Sequence, residues 1–187
     1  MPPKVKVSKQ EIVESAVSVV CQDGAGALNA RVVAQMLGCS TQPVFSNFAT
    51  MEELRLAVAQ EAYRRYQAYG RREAESGQYP PYKASGMAYI RFAKEEKELF
   101  KLLYMCDRAG APTPENEGDF LQMTAFVHQN TGLGDDAAKR FHLEMWAYVH
   151  GIATMFATGY LDLDWDLVSV MLTDAYQGLK KHYEGER

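Results

Sequence analysis

Residues 28–58 read LNARVVAQMLGCSTQPVFSNFATMEELRLAV and carry the densest run of helix start and stop signals in the chain. Asn29 is a good helix N-cap, because its side-chain oxygen accepts from a free N–H of the first turn. Val32, Val33, Met36 and Leu37 follow at helical spacing, and Gly38 ends the segment. A second short helix is predicted from Ser40 to about Phe48. Pro43 lies in its first turn, where the missing N–H costs nothing. A longer helix starts at Thr50, with a capping box to Glu53, and runs past Tyr69. Two short helices around a tight glycine turn are what a helix-turn-helix requires. Its second helix must be short and open on small polar residues to enter a major groove about 12 Å wide. Ser40, Thr41 and Gln42 meet that need. On spacing alone, an ordinary hairpin in a helical bundle fits as well.

Upstream, Ser8 and Glu11 form another capping box, and Ile12, Ala16, Val19 and Val20 recur at helical spacing as far as Gly24. Downstream, a polar stretch ends at Pro80-Pro81, and helical signals resume. Met87, Ile90 and Phe92 mark a helix from about Tyr82. Leu99, Phe100, Leu103 and Tyr104 mark the next, and Phe120, Met123, Phe126 and Val127 a third. A long helix from Asp135 to about Thr158 carries Phe141, Met145, Val149, Ile152 and Phe156 on one side. Trp146, His150 and Ala153 lie on the neighbouring side. The last helix starts near Asp164 and carries Leu167, Val170, Met171, Ala175 and Leu179. Strand signals are scarce and no Asn-Gly or Asp-Gly hairpin turn occurs, so the fold class is all-α.

The stretch from Ser8 to Val58 resembles the DNA-binding domain of the TetR family of transcriptional regulators. Asn29 and Arg31 open helix two, Val33-Ala34 lie within it, and Gly38 makes the turn. Ser40 heads the recognition helix, Phe45-Ser46-Asn47-Phe48 closes it, and Met51-Glu52-Glu53-Leu54 opens the next helix. Two positions depart from the family pattern, which usually has Tyr at position 45 and often Lys at 51. Phe45 still packs but has no hydroxyl for a phosphate, and Met51 lacks a cation. Residues 88–105 and 145–156 are similar to regulatory-domain helices of one TetR subgroup, with Trp146, His150 and Gly151 carrying that likeness.

The resemblance implies residues 1–49 as arm and helix-turn-helix domain, and residues 50–187 as a linking helix with a helical ligand-binding and dimerisation domain. It implies a homodimer through the last two helices, presenting two recognition helices about 34 Å apart to a double-stranded, pseudo-palindromic operator. Within it, Gln42 is suited to adenine and Thr41 to a thymine methyl. Ser40, Asn47 and Arg31 are suited to phosphates, and Lys4, Lys6 and Lys9 form a basic arm. Phe45 stands in the same DNA-binding set. A repressor released by a small-molecule effector is the implied function. Candidate walls for the effector cavity are Met87, Phe92, Met105, Met123, Phe126, Trp146 and His150, since flexible methionines and rings suit an apolar pocket. Plain core packing is the competing account of each.

Composition fits this reading once it is divided. The 187 residues carry 20 Lys+Arg and 24 Asp+Glu, a formal charge of −4, which is unusual for a nucleic-acid binder. Residues 1–75 hold nine basic and eight acidic side chains, and residues 76–187 hold eleven and sixteen. The acidic surplus therefore belongs to the second part and does not veto DNA binding by the first. Three cysteines (Cys21, Cys39, Cys106), none in Cys-x-x-Cys spacing, imply no disulfide framework and fit a reduced, cytoplasmic chain of buried thiols. The basic N-terminus leads into no apolar signal core. The segment 145–161 has no formal charge but is too short and too polar for a span, which needs about 20 apolar residues. Asp162, Asp164 and Asp166 imitate the start of a calcium loop, yet Leu167 and Thr173 stand where its glycine and glutamate belong. An acidic helix N-terminus explains them better. No metal or cofactor is implied. The rival readings are an all-helical enzyme, for which no Glu-x-x-His, His-Glu-x-x-His, Gly-x-Ser-x-Gly or phosphate loop is found, and a helical protein-interaction module.

Overall fold

The computed structural model describes residues 7–105 and 117–185. The helices are α1 (Lys9–Asp23), α2 (Ala30–Met36), α3 (Gln42–Asn47), α4 (Met51–Ser76), α5 (Pro81–Glu95), α6 (Lys97–Tyr104), α7 (Glu117–Thr131), α8 (Asp135–Thr158) and α9 (Trp165–Gly185). No strand occurs among the described residues, and the fold is all-α.

Local chemistry sets most of the helix ends. Ser8 Oγ accepts from the Glu11 amide at 3.2 Å while Glu11 Oε2 accepts from the Ser8 amide at 2.8 Å, a complete capping box. Asn29 Oδ1 accepts from both Arg31 and Val32 amides at 3.1 Å. Thr50 caps α4 through the Glu53 amide, but the Glu53 carboxylate passes over Thr50 and accepts from the Ala49 amide at 2.7 Å, so that box is half formed. Gly38, at φ +65°, turns the chain between α2 and α3. The α3 helix is two residues shorter at its start than the spacing predicts, and a short 3-10 turn (Ala25–Ala27) precedes α2.

In the head, α1 buries Ile12, Val13, Ala16, Val17, Val19 and Val20 against Leu28, Val33, Val44, Phe48, Leu54 and Val58. Cys21 falls outside that stripe and is exposed, while Cys39 is half-buried; neither is the buried thiol that the sequence suggests. The same apolar cluster continues through α5, α6, α8 and α9, by way of Met87, Phe92, Phe100, Ile152 and Val168. A second cluster gathers Val127, Leu133, Ala138, Phe141, Met145 and Tyr183 where α7, α8 and α9 meet.

Polar ties lock α4 to this frame. Glu73, only 5% exposed, accepts from Arg91 Nε at 2.6 Å. The Arg91 guanidinium also lies over the Trp165 ring, 4.4 Å from its centroid, and so joins α4, α5 and α9. Tyr69 donates to the Glu95 carboxylate at 2.9 Å. Removing one partner of such a nearly buried pair costs more than the pair contributes, because a charge is left without a counter-charge.

Of the three aspartates near the start of α9, Asp164 precedes the helix and Asp166 lies in its first turn. Asp164 Oδ1 accepts from the Asp166 amide at 2.8 Å and the Leu167 amide at 3.4 Å, and Asp162 pairs with Lys94. Among the described residues no three His, Cys, Asp or Glu side chains gather as a metal site requires. No described helix is long and apolar enough to cross a membrane.

Candidate nucleic-acid interface and cavity

The helix-turn-helix presents a polar face. Arg31, Ser40, Thr41 and Gln42 are all exposed on α2, the turn and the start of α3. Thr41 occupies the N-cap position of α3, yet its hydroxyl makes no capping bond there. Asn47 is half-buried, and its amide donates to the Pro43 carbonyl at 2.9 Å, so part of its hydrogen-bonding capacity serves α3 itself.

Phe45 is the main correction on this face. It does not pack: its ring is 51% exposed. The cause is helical geometry. Val44 and Phe48, four residues apart, fill the buried side of α3, and Phe45 is turned about 100° from Val44. Met36, 43% exposed on α2, leaves a second apolar side chain on the surface of the helix pair. Lys9 is not part of a free arm; it belongs to α1, with its ammonium 4.9 Å from the centre of the Phe48 ring. Lys4 and Lys6 lie outside the described residues, as does Cys106.

The second feature is a cavity of about 620 Å³ between α4, α5, α6, α7, α8 and α9. Volumes of this order suit a drug-sized ligand. Three of the seven wall residues suggested by sequence, Met123, Phe126 and Trp146, stand in it. Met87 and Phe92 do not; both are fully buried on the core side of α5, Phe92 between Tyr66, Tyr69 and Phe100. Met105 follows α6, is 42% exposed and takes no part in the wall. His150 stands behind the wall. Its Nδ1 is 2.9 Å from the Tyr89 hydroxyl, and its ring stacks on Trp146 with centroids 5.0 Å apart.

Tyrosines form much of what remains. Tyr63 and Tyr66 come from α4, Tyr82 and Tyr89 from α5, Tyr104 from α6 and Tyr176 from α9. Single-sequence reading overlooks them because a tyrosine at helical spacing looks like any core aromatic. The pair Tyr63 and Tyr66, at i and i+3 on one face of α4, was the available signal. His142 is the other omission, although His142, Trp146 and His150 recur every four residues along α8. His142 is 9% exposed, its Nδ1 is 2.9 Å from the Tyr82 hydroxyl, and the Phe120 ring lies 4.9 Å away. Burial holds its pKa down at about 4, so the imidazole is neutral at pH 7, and burial likewise pushes the Tyr82 hydroxyl up, so it keeps its proton. The Lys83 ammonium donates to Thr173 Oγ1 at 2.8 Å, and both residues line the cavity.

Residues 82–174 match the family model of the tetracyclin repressor-like C-terminal domain. No curated protein matches the chain. Among solved structures, a protein with unknown function from Rhodococcus sp. RHA1 is 26% identical over 98% of this chain and 99% of its own, with a TM-score of 0.73. A candidate regulatory protein, SCO4313, is 20% identical over 89% of this chain and 93% of its own, with a TM-score of 0.67. The multidrug binding protein EbrR, in complex with imidazole, is 17% identical over the same shares, with a TM-score of 0.60. Residues 82–174 therefore belong to the tetracyclin repressor-like C-terminal domain family, and the chain as a whole shares the all-α fold of these solved structures.

Proposed function

We propose that the protein is a homodimeric repressor that binds a pseudo-palindromic DNA operator and is released by a small molecule held in the cavity. One observation carries this reading: a single helix serves both sites. The first turns of α4 bury Leu54 and Val58 in the head, and Tyr63 and Tyr66, about 14 Å further along, line the cavity. A ligand that moves those rings therefore moves the support of the recognition helix. The α6 helix offers a second route. Tyr104 lines the cavity, and Glu98 reaches α1, so close to Gly24 that a Cβ added there would lie 3.2 Å from Glu98 Oε2. The effector must bind the two head arrangements with different affinity, or no release follows.

The exposed side chains of the head supply the contacts in this reading. Gln42 and Thr41 read bases, Arg31 and Ser40 hold phosphates, and Phe45 lays its exposed ring against sugar or a thymine methyl. The dimer forms through α8 and α9, where Tyr148, Leu167 and Val170 are 38%, 48% and 54% exposed. Gly151 and Gly178 have open space where a Cβ would stand, which lets a second pair of helices approach closely. In this role the chain is a binding protein and not an enzyme.

Fluorescence anisotropy with DNA from upstream of the protein's own gene, titrated with salt, tests the proposal. Binding that exceeds random DNA by a factor of about 10³ supports a specific regulator. Equal affinity for both DNAs overturns it.

A further inference from the structure

We propose that the cavity selects flat aromatic acids, with the ligand's anion on Lys83 and its rings among the tyrosines and Trp146. The inference rests on the reading of this cavity as the effector site and adds the chemical class of the effector. Three observations carry it. The wall is aromatic on several sides: Tyr66, Tyr82, Tyr104, Phe126, Trp146 and Tyr176 come from six helices and favour stacked or edge-on rings. Among the described residues, Lys83 is the only wall side chain with a formal charge, and no Asp or Glu lines the cavity. The one imidazole in the wall, His142, is buried beside Tyr82 and adds hydrogen-bonding capacity without charge.

Aromatic cages also hold quaternary ammonium groups, so the rings alone leave the sign of the ligand open. Lys83 decides it. A cation in the cavity faces a fixed like charge with no described carboxylate to offset it, and a desolvated cation needs a partner. An anion meets an ammonium that has already been positioned. Thr173 Oγ1 takes one of the three ammonium donors, which leaves two for a carboxylate, and the Tyr79 ring lies 5.0 Å from the nitrogen. A charge-assisted bond of this kind is stronger than a neutral one and supplies the selectivity.

Isothermal titration of the full chain with 2-naphthoate and with 2-naphthylmethylammonium tests this, because the probes share a ring system and differ in the sign of charge. The expected result is naphthoate binding at least about tenfold tighter than the ammonium probe. Lys83→Gln should erase the preference, Lys83→Arg should keep it, and Ser85→Phe, which adds a ring at the wall, should abolish binding of both. Equal or tighter binding of the ammonium probe overturns the inference, as does a preference that survives Lys83→Gln. Failure of both probes to bind overturns the inference together with the effector reading. Naphthoate binding that depends on Lys83 and leaves DNA affinity unchanged supports the charge inference while refuting the effector reading.

Discussion

Acidification puts a charge on His142, and the structure says how much stability that removes. The ordinary histidine pKa is 6.5, and burial beside Tyr82 and Phe120 lowers that of His142 to about 4. The folded-state value is the lower one. Between pH 6.5 and 4 the unfolded chain therefore binds more protons than the folded chain, and stability falls as pH falls through that window. At about 1.4 kcal/mol for each pH unit of separation, the full effect is about 3 kcal/mol, and water entering from the cavity reduces it to about 2–3 kcal/mol. Carboxylates titrate in the same range, Glu11 among them, since its capping bonds to Ser8 hold its pKa below the usual value. The comparison that isolates the histidine is wild type against His142→Gln, which keeps a polar group near Tyr82 and cannot take up the proton. Urea unfolding at fixed protein concentration, repeated from pH 7 to pH 4.5, should show the variant gaining about 2 kcal/mol relative to wild type. Parallel curves for the two proteins would refute the assignment of His142 as a buried neutral imidazole.

Three further outcomes follow from burial and capping. Phe92→Ala, at a fully buried ring, should cost about 3–5 kcal/mol in chemical unfolding, whereas Trp146→Ala, at a wall residue 41% exposed, should cost far less. Asn29→Ala removes the acceptor for two amides at the start of α2 and should lower stability by about 1 kcal/mol, read as a drop in melting temperature. Phe45→Ala should change stability by less than about 0.5 kcal/mol, because the ring is half exposed, yet weaken operator binding in a mobility-shift titration. Met51→Lys restores a cation that family members often carry. If that cation reaches a phosphate, the slope of log affinity against log salt should steepen by about 0.9.

Local signals mark most of the helix ends. Ser8 with Glu11, Asn29, Gly38, Pro80-Pro81 and Asp164 each act within a few residues of themselves, and the structure places a helix end beside every one. Periodicity likewise identified the buried side of α8, because a residue's position on a helix depends only on its number along it. What periodicity does not encode is what lies opposite a given face. Met87 and Trp146 are both apolar residues on amphipathic helices, yet one is buried in the core and the other faces a void. Phe45 is apolar like a core residue and is exposed because it stands about 100° around α3 from Val44, away from the buried side. Met123 and Phe126 were legible as wall residues, while the tyrosines that dominate the wall converge from four helices spread along the chain, from Tyr63 on α4 to Tyr176 on α9. Only the tertiary structure decides that convergence, since a cavity is the space several helices fail to fill together and no single segment carries its shape. The neutral state of His142 belongs to the same class: the imidazole is ordinary in the sequence, and its charge is removed by surroundings that exist only once α5, α7 and α8 have packed.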